Sequence, residues 1–153
     1  MGRMYTASFS SVAVTAAQDL FEVNAPATGI VVIHRVMIGQ SSDAADAQAE
    51  MLPIQLNRGG GTAGSGGTTP TAVPHNLGHA AFGGTCEANN TTAAGTPVVI
   101  GAETFNVQAG YYYVPTPEER IIIPPSGIFN VKLTAAPDDS LTMSGSITFE
   151  EID

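Results

Sequence analysis

The sequence predicts an all-β protein, built as an antiparallel sandwich or barrel, and three observations support this prediction. Short apolar or alternating segments recur at spacings near ten residues, which is typical of such folds. Glycine and proline, 17 and 10 of the 153 residues, separate these segments. No segment carries an apolar stripe at helical spacing, and the best helix candidate, the alanine-rich residues 41–51, lacks one as well.

The first half of the chain contains four strand patterns, over residues 5–14, 20–23, 29–38 and 51–58. The alternation of the first pattern slips at Ser10 and Ser11, which predicts a β-bulge there. The third pattern is almost continuously apolar, as expected for an interior strand. In the fourth, Pro53 has no N–H to donate, so we expect a sheet edge or a bulge.

The second half contains six more patterns, over residues 84–88, 98–100, 103–114, 120–123, 128–134 and 141–149. Gly110 predicts a bulge or bend inside the third of these. The length fits one domain, residues 1–153. Within it we expect a flexible N-terminal segment, about residues 1–18, and a long loop, about residues 58–97, whose Gly-rich part can become ordered against a large partner.

The charge of the chain argues against two classes of partner. Fourteen acidic and five basic residues give a net charge of −9. Nucleic acids and anionic membranes both require clustered basic residues, so we expect neither as a direct partner. No signal-peptide pattern occurs, and the longest apolar run, residues 29–39, is too short for a membrane helix. The single cysteine, Cys86, excludes a disulfide framework within the chain.

Two motifs match binding sites by spacing alone. Residues 59–64 spell GxGxxG, but no strand–turn–helix surrounds them, so a flexible loop is the better interpretation. His75 and His79 have the spacing of two zinc ligands on a helix, yet Pro74 and Gly78 flank them and no helical pattern exists. We therefore expect no cofactor and no metal at either motif.

The carboxylates also favour a structural interpretation. Asp43, Asp46 and Glu50 gather in a short segment, but not at the spacing of a calcium-binding loop, and we expect a solvated acidic loop. Adjacent acidic pairs such as Glu150 and Glu151 point to opposite faces of a strand and cannot converge on one substrate. With no nucleophile motif either, we expect no catalytic residues and no enzyme.

Three consecutive tyrosines, Tyr111, Tyr112 and Tyr113, stand in a predicted strand next to a Pro-Thr-Pro segment. At least one ring must lie on each face of the sheet. One face belongs to the core. The other either forms an interface or is covered by a loop of the same chain, and the sequence leaves these alternatives open.

Residues 29–68 and 105–127 resemble small virion proteins of tailed bacteriophages. The likeness rests on a strand–QSSD–strand–RG–Gly-loop order and on an aromatic–PTPEER–strand ending, and it extends over about residues 5–152. Such proteins accompany the major capsid protein as head decoration or cement proteins with jelly-roll-like two-sheet sandwiches. Family members often carry Trp where Tyr111 or Tyr112 stands, whereas this chain has no Trp.

The resemblance implies a structural protein on the capsid surface, present in the host cytoplasm during assembly. It would bind neighbouring subunits of the major capsid protein and cement them, as a homotrimer at threefold positions. A net charge of −9 favours a partner surface rich in Arg and Lys. The candidate interface residues are Tyr111, Tyr112, Tyr113, His34, Arg35, Arg58 and Arg120.

Two other classes remain as alternatives. One is a carbohydrate- or receptor-binding sandwich of a phage fibre, for which Tyr111, Tyr112 and Tyr113 beside Asn106 offer the only aromatic platform. The other is an enzyme on a cupin-like barrel, which needs a His/Glu metal cluster that three scattered histidines supply poorly.

Overall fold

The computed structural model describes residues 2–41 and 50–153. Residues 42–49, which include most of the helix candidate as well as Asp43 and Asp46, lie outside the described part. The described residues form eleven strands and one 3-10 helix, Pro117–Glu119. The strands are β1 (Arg3–Val14), β2 (Gln18–Asn24), β3 (Ile30–Gln40), β4 (Met51–Arg58), β5 (Val73–Pro74), β6 (Thr85–Asn90), β7 (Val98–Asn106), β8 (Tyr111–Tyr113), β9 (Ile122–Ile123), β10 (Ile128–Leu133) and β11 (Leu141–Ile152).

The strands form two antiparallel sheets that pack face to face, which confirms the predicted two-sheet sandwich. Sheet I has the order β5-β1-β11-β3-β8, with β9 also paired to β3, and sheet II has the order β6-β2-β10-β4-β7. The pairing is nested along the chain: β1 pairs with β11, β2 with β10, β3 with β8 and β9, and β4 with β7. Neighbouring strands in each sheet are therefore mostly distant in sequence.

The core lies between the two sheets and is filled by alternate residues of each strand. On sheet I, Tyr5 stacks against Phe149 with ring centroids 5.9 Å apart. Gly145 of β11 leaves room for the pair Phe9 and Phe21, whose ring centroids are 5.0 Å apart and which joins the two sheets. Burying apolar side chains of this size is the main source of stability in such a fold.

Strand β1 corrects the expectation of a flexible N-terminal segment over residues 1–18. Residues 3–14 lie between β5 and β11, and Tyr5, Ala7 and Phe9 are buried in the core. The predicted bulge is confirmed, because the register with β11 shifts between Phe9 and Val12. The alternation of apolar residues therefore outweighs the Ser- and Thr-rich composition of the segment.

Strand β4 corrects the prediction for Pro53. β4 is an interior strand between β10 and β7, and its register shift lies at Leu56 and Asn57 rather than at the proline. Pro53 is accommodated because it stands beyond the end of β10, where its carbonyl accepts a hydrogen bond from the Thr134 N–H. The missing N–H therefore falls where the ladder has already ended.

The segment predicted as one strand over residues 103–114 changes sheets instead. β7 ends at Asn106, whose carbonyl accepts hydrogen bonds from the N–H groups of Ala109 and Gly110. Gly110 has φ +79°, which favours glycine, and the bend predicted there is confirmed. The chain then enters sheet I as β8.

The predicted loop over residues 58–97 contains β5 and β6 and is more ordered than expected. Its Gly-rich part lies alongside residues 91–95, joined by bridges between Thr62 and Gly95 and between Ser65 and Thr92. We call residues 60–67 together with residues 91–95 the flap. The flap lies over the outer face of sheet II, where Gly64 and Ala94 donate backbone hydrogen bonds to side chains of β2.

Candidate interface at the open edge of the sandwich

Both sheets end on the same side of the sandwich, at strands β7 and β8. β7 is the last strand of sheet II and β8 the last strand of sheet I. Residues of both strands, together with Val114, Pro115 and Ile121, line one groove of about 360 Å³, so the two edges lie side by side. We call this surface, β7, β8 and residues 114–122, the open edge.

The open edge carries most of the exposed apolar side chains. Ten large apolar residues are exposed in the described part of the chain, and six of them lie here, each 45–65% exposed. They are Val98, Val99, Ile100, Tyr112, Val114 and Ile122. An exposed apolar strand edge is a template for pairing with another chain, and monomeric proteins commonly protect such edges with Lys or Pro. β7, with the sequence VVIGAETFN, contains neither.

The three tyrosines of β8 lie at three different depths. Tyr111 is buried against Phe105, with ring centroids 5.8 Å apart. Tyr113 is half-buried and donates a 3.3 Å hydrogen bond to the Glu119 carbonyl. Burial raises the pKa values of Tyr111 and Tyr113, so both stay protonated at neutral pH. Tyr112 is 63% exposed and is the tyrosine available to a partner.

The positions of the three tyrosines also bear on the alternative that the chain is a carbohydrate-binding module. Stacking on a sugar would depend on Tyr112 alone within β8. Asn106, the polar residue expected beside the rings, accepts a 2.9 Å hydrogen bond from the Gln108 N–H with its side-chain oxygen. That oxygen is therefore engaged in the turn between β7 and β8.

His34 and Arg35 lie on β3, one strand in from the open edge. The His34 Nε2 atom is 3.2 Å from Glu150 Oε2, and Arg35 donates a 3.3 Å hydrogen bond to the Thr148 hydroxyl. Glu150 thus faces His34, while Glu151 is 2% exposed and faces Arg3. The prediction that Glu150 and Glu151 point to opposite faces is confirmed.

The two remaining arginines among the predicted residues stand beside the open edge. Arg58 is exposed, ends β4 and pairs in register with Val98. Arg120 is half-buried and comes directly before Ile121, which lines the groove. Two arginines therefore lie beside this surface, whose groove is lined by Glu103 and Glu119 as well as by apolar side chains.

Five exposed apolar residues of this surface were not among the predicted interface residues: Val98, Val99, Ile100, Val114 and Ile122. The run of three apolar residues at 98–100 was a detectable signal, since a strand with one core face buries only alternate residues. The sequence did not reveal that this strand ends its sheet.

A second groove, of about 550 Å³, crosses the outer face of sheet I next to Tyr112. Serines and glycines of β1, β3 and β11 line it, among them Ser8, Gly39 and Ser146, together with Met37. Because Tyr112 lines both grooves, a partner at the open edge can extend onto this smooth face.

The described residues contain no group of three His, Cys, Asp or Glu side chains placed to share a metal ion. His75 Nε2 lies 2.8 Å from the Thr6 hydroxyl, and the His79 N–H bonds to the Asn76 carbonyl. Cys86 is buried, and burial raises the pKa of its thiol to about 12. The residues of the GxGxxG motif begin the flap, with no helix after them.

Comparisons with family models, with curated proteins and with solved structures each give no significant match. Within the described ranges, no helix is long and apolar enough to cross a membrane.

Proposed function

We propose that this chain is a structural protein that acts by docking onto other protein subunits. More specifically, it is a virion protein that binds neighbouring major capsid protein subunits on a bacteriophage head and cements them. The observation that carries the proposal is the open edge, where six apolar side chains are exposed beside two strand edges that pair with no strand among the described residues.

The winding of the chain supports the same function. The first strand pairs with the last, the second with the second-to-last, and the inner strands pair in the same way. This nested pairing results when one long antiparallel ribbon folds over itself. We infer that the sandwich is a jelly roll, an architecture that occurs in capsid domains. The resemblance of residues 29–68 and 105–127 to decoration proteins agrees with this inference.

The open edge offers two modes of binding at once. A partner strand can add to β7 or β8 through main-chain hydrogen bonds, and its side chains can enter the groove beside Ile100 and Tyr112. Arg58 and Arg120 at the border restrict the orientation of the partner. Homotrimers that present three such edges would suit a threefold position on the shell.

Co-sedimentation with assembled shells of the major capsid protein tests this function. We expect the variant Ile100→Lys to lose binding at least about tenfold, because a lysine on an edge strand opposes strand addition. Leu77→Lys is the matched control, since Leu77 is 97% exposed and lies outside the open edge. Equal binding by both variants would contradict the assignment of the interface.

Native mass tests the trimer separately. Light scattering after gel filtration is expected to give roughly 47 kDa, three times the 15.7 kDa chain. A monomeric mass would mean that three copies meet only on the capsid, and the shell-bound stoichiometry would then decide.

A further inference from the structure

A row of polar side chains crosses the outer face of sheet II. By strand register, Glu87 of β6 lies opposite Glu22 of β2, Glu22 opposite Asn130 of β10, and Asn130 opposite Asn57 of β4. These residues face away from the core, because their neighbours along each strand fill it. An outer face normally meets water, yet Glu22 and Asn57 are 0% exposed and Asn130 is 1% exposed.

The flap is bonded to Glu22 of this row and to Asp19 beside it. The Gly64 N–H donates a 2.8 Å hydrogen bond to Glu22 Oε2, and the Ala94 N–H donates a 2.9 Å hydrogen bond to Asp19 Oδ2. Asn130 Nδ2 donates to the same Asp19 oxygen at 2.9 Å. Gly64 must lack a side chain, because a Cβ there would lie 2.8 Å from the Thr92 carbonyl oxygen as well as from Glu22 Oε2.

Several buried polar atoms of this row and of Asp19 have no hydrogen-bond partner among the described residues. They are Asp19 Oδ1, Asn130 Oδ1 and both side-chain amide atoms of Asn57. Asn57 and Asn130 are cross-strand neighbours, and Asn130 is bonded to Asp19, so these atoms belong to one cluster. Buried polar groups are nearly always paired, so we expect the amide of Asn57 to bond a water or an ion.

Within the described part of the chain, no cation pairs with the two carboxylates beside the flap. Asp19 and Glu22 are both 0% exposed. The ion pairs found among the described residues involve Arg3 and His34, and none of them reaches either carboxylate. Lys132 lies opposite Asp19 by register, but forms no ion pair with it. Buried carboxylates are ordinarily paired with a cation, bound to a metal or neutralised by a proton.

We propose that a calcium ion binds beneath the flap, held by Asp19 Oδ1 and by the side-chain oxygens of Asn130 and Asn57. Calcium takes six to eight oxygen ligands in flexible geometry, and carboxylate, amide and water oxygens all serve. Waters and backbone carbonyls complete the shell. Two of the three protein ligands are amides, which suits calcium because it accepts neutral oxygen ligands beside carboxylates.

The ion would fasten the flap to sheet II. Asp19 would bind the metal through Oδ1 while Oδ2 keeps its bonds to the flap and to β10. This role is independent of the open edge, which lies on other residues. The site would therefore exist even if the chain bound no capsid.

Calcium content and thermal stability test the proposal. After gel filtration in calcium, we expect one calcium per chain by elemental analysis, and a melting temperature about 5–10 °C above that in EDTA. Magnesium at the same concentration is expected to raise the melting temperature less. Asp139→Asn, which alters an exposed carboxylate, is the matched control and should keep the full calcium effect.

Two variants address the ligands themselves. Asp19→Asn is expected to abolish the calcium-dependent shift, and Asn57→Ala, which leaves the charge in place, to weaken calcium affinity at least about tenfold. The proposal is overturned if the wild-type chain holds no calcium and if the hydrogen exchange of Gly64 and Ala94 is the same in calcium and in EDTA. The cluster would then hold water alone.

Discussion

Cys86 shows how burial decides the chemistry of a single residue. It lies on β6, 3% exposed, with its side chain in the core. The low dielectric around it disfavours the thiolate, which raises the thiol pKa to about 12, with the neighbouring Glu87 carboxylate adding to the shift. Because the thiolate is the reactive species, the folded protein should be inert at this position.

The prediction is that native protein at pH 8 is labelled by a thiol reagent only on unfolding. Less than about one tenth of the chains should react within an hour, whereas denatured protein should react fully within minutes. Ser140→Cys supplies a matched control, since Ser140 is exposed and should give one fast thiol per chain. Fast labelling of the native wild-type protein would show that the thiol is accessible.

Single residues also mark how far the sequence could predict the site. The alternation of Tyr111, Tyr112 and Tyr113 between faces follows from the geometry of any strand. Which tyrosine faces outward depends on which sheet β8 joins and on the loop that follows it. Neither is encoded locally, so the choice of Tyr112 required the tertiary structure.

Two strand glycines with opposite surroundings illustrate packing at the level of the element. Gly145 lies on β11, where an added Cβ would come within 3.0 Å of the Phe9 ring and 3.1 Å of the Met37 carbonyl oxygen. Gly39 lies on the neighbouring β3, and an added Cβ there would have no atom within 4 Å. The backbone carbonyl cannot move without disturbing the pairing of β3 and β11.

We therefore predict that Gly145→Ala lowers the free energy of unfolding by about 1–3 kcal/mol, through overpacking of the core. Gly39→Ala should be neutral or slightly stabilising, because glycine in a strand costs about 0.5–1 kcal/mol relative to alanine. Urea unfolding of both variants measures this difference in the free energy of unfolding. Identical midpoints would mean that the core around Gly145 yields without cost.

The positions of the strands were largely predictable from the sequence, but which strands lie next to each other was not. Periodicity of two along residues 5–14 reports one buried face, and β1 follows this pattern. Along residues 128–134 the same periodicity identifies the core face, but β10 is buried on both faces, since the outward-facing Asn130 is 1% exposed. Pro53 predicted a sheet edge or a bulge, because that prediction assumes that the neighbouring strands extend past the proline on both sides. Because β10 ends at Leu133, no residue of β10 requires an N–H from Pro53, and the sequence around the proline does not report where β10 ends.

At the scale of the whole molecule, charge should govern the rate of association with a partner. The net charge of −9 is spread over a chain with only five basic residues. If the partner surface is basic, long-range attraction speeds encounter and is screened by salt. The apolar open edge, by contrast, should set how long the complex lasts.

We predict that the association rate with capsid shells falls by about tenfold between 50 and 500 mM salt, measured by stopped flow or surface plasmon resonance. The double variant Asp138→Asn with Asp139→Asn, both exposed residues, changes the net charge from −9 to −7 and should associate more slowly at low salt. A rate that is indifferent to salt would exclude a basic partner surface.

The sequence by itself determined the all-β class, most strand positions, the bulge at Ser10 and Ser11, and the acidic character of the chain. These properties depend on local periodicity and composition. The tertiary structure alone decided which strands end the sheets, so that Val98, Val99 and Ile100 lie at the open edge, and that the flap buries Asp19 and Glu22. The physical reason is that nested pairing joins residues far apart in sequence, and burial follows from that pairing.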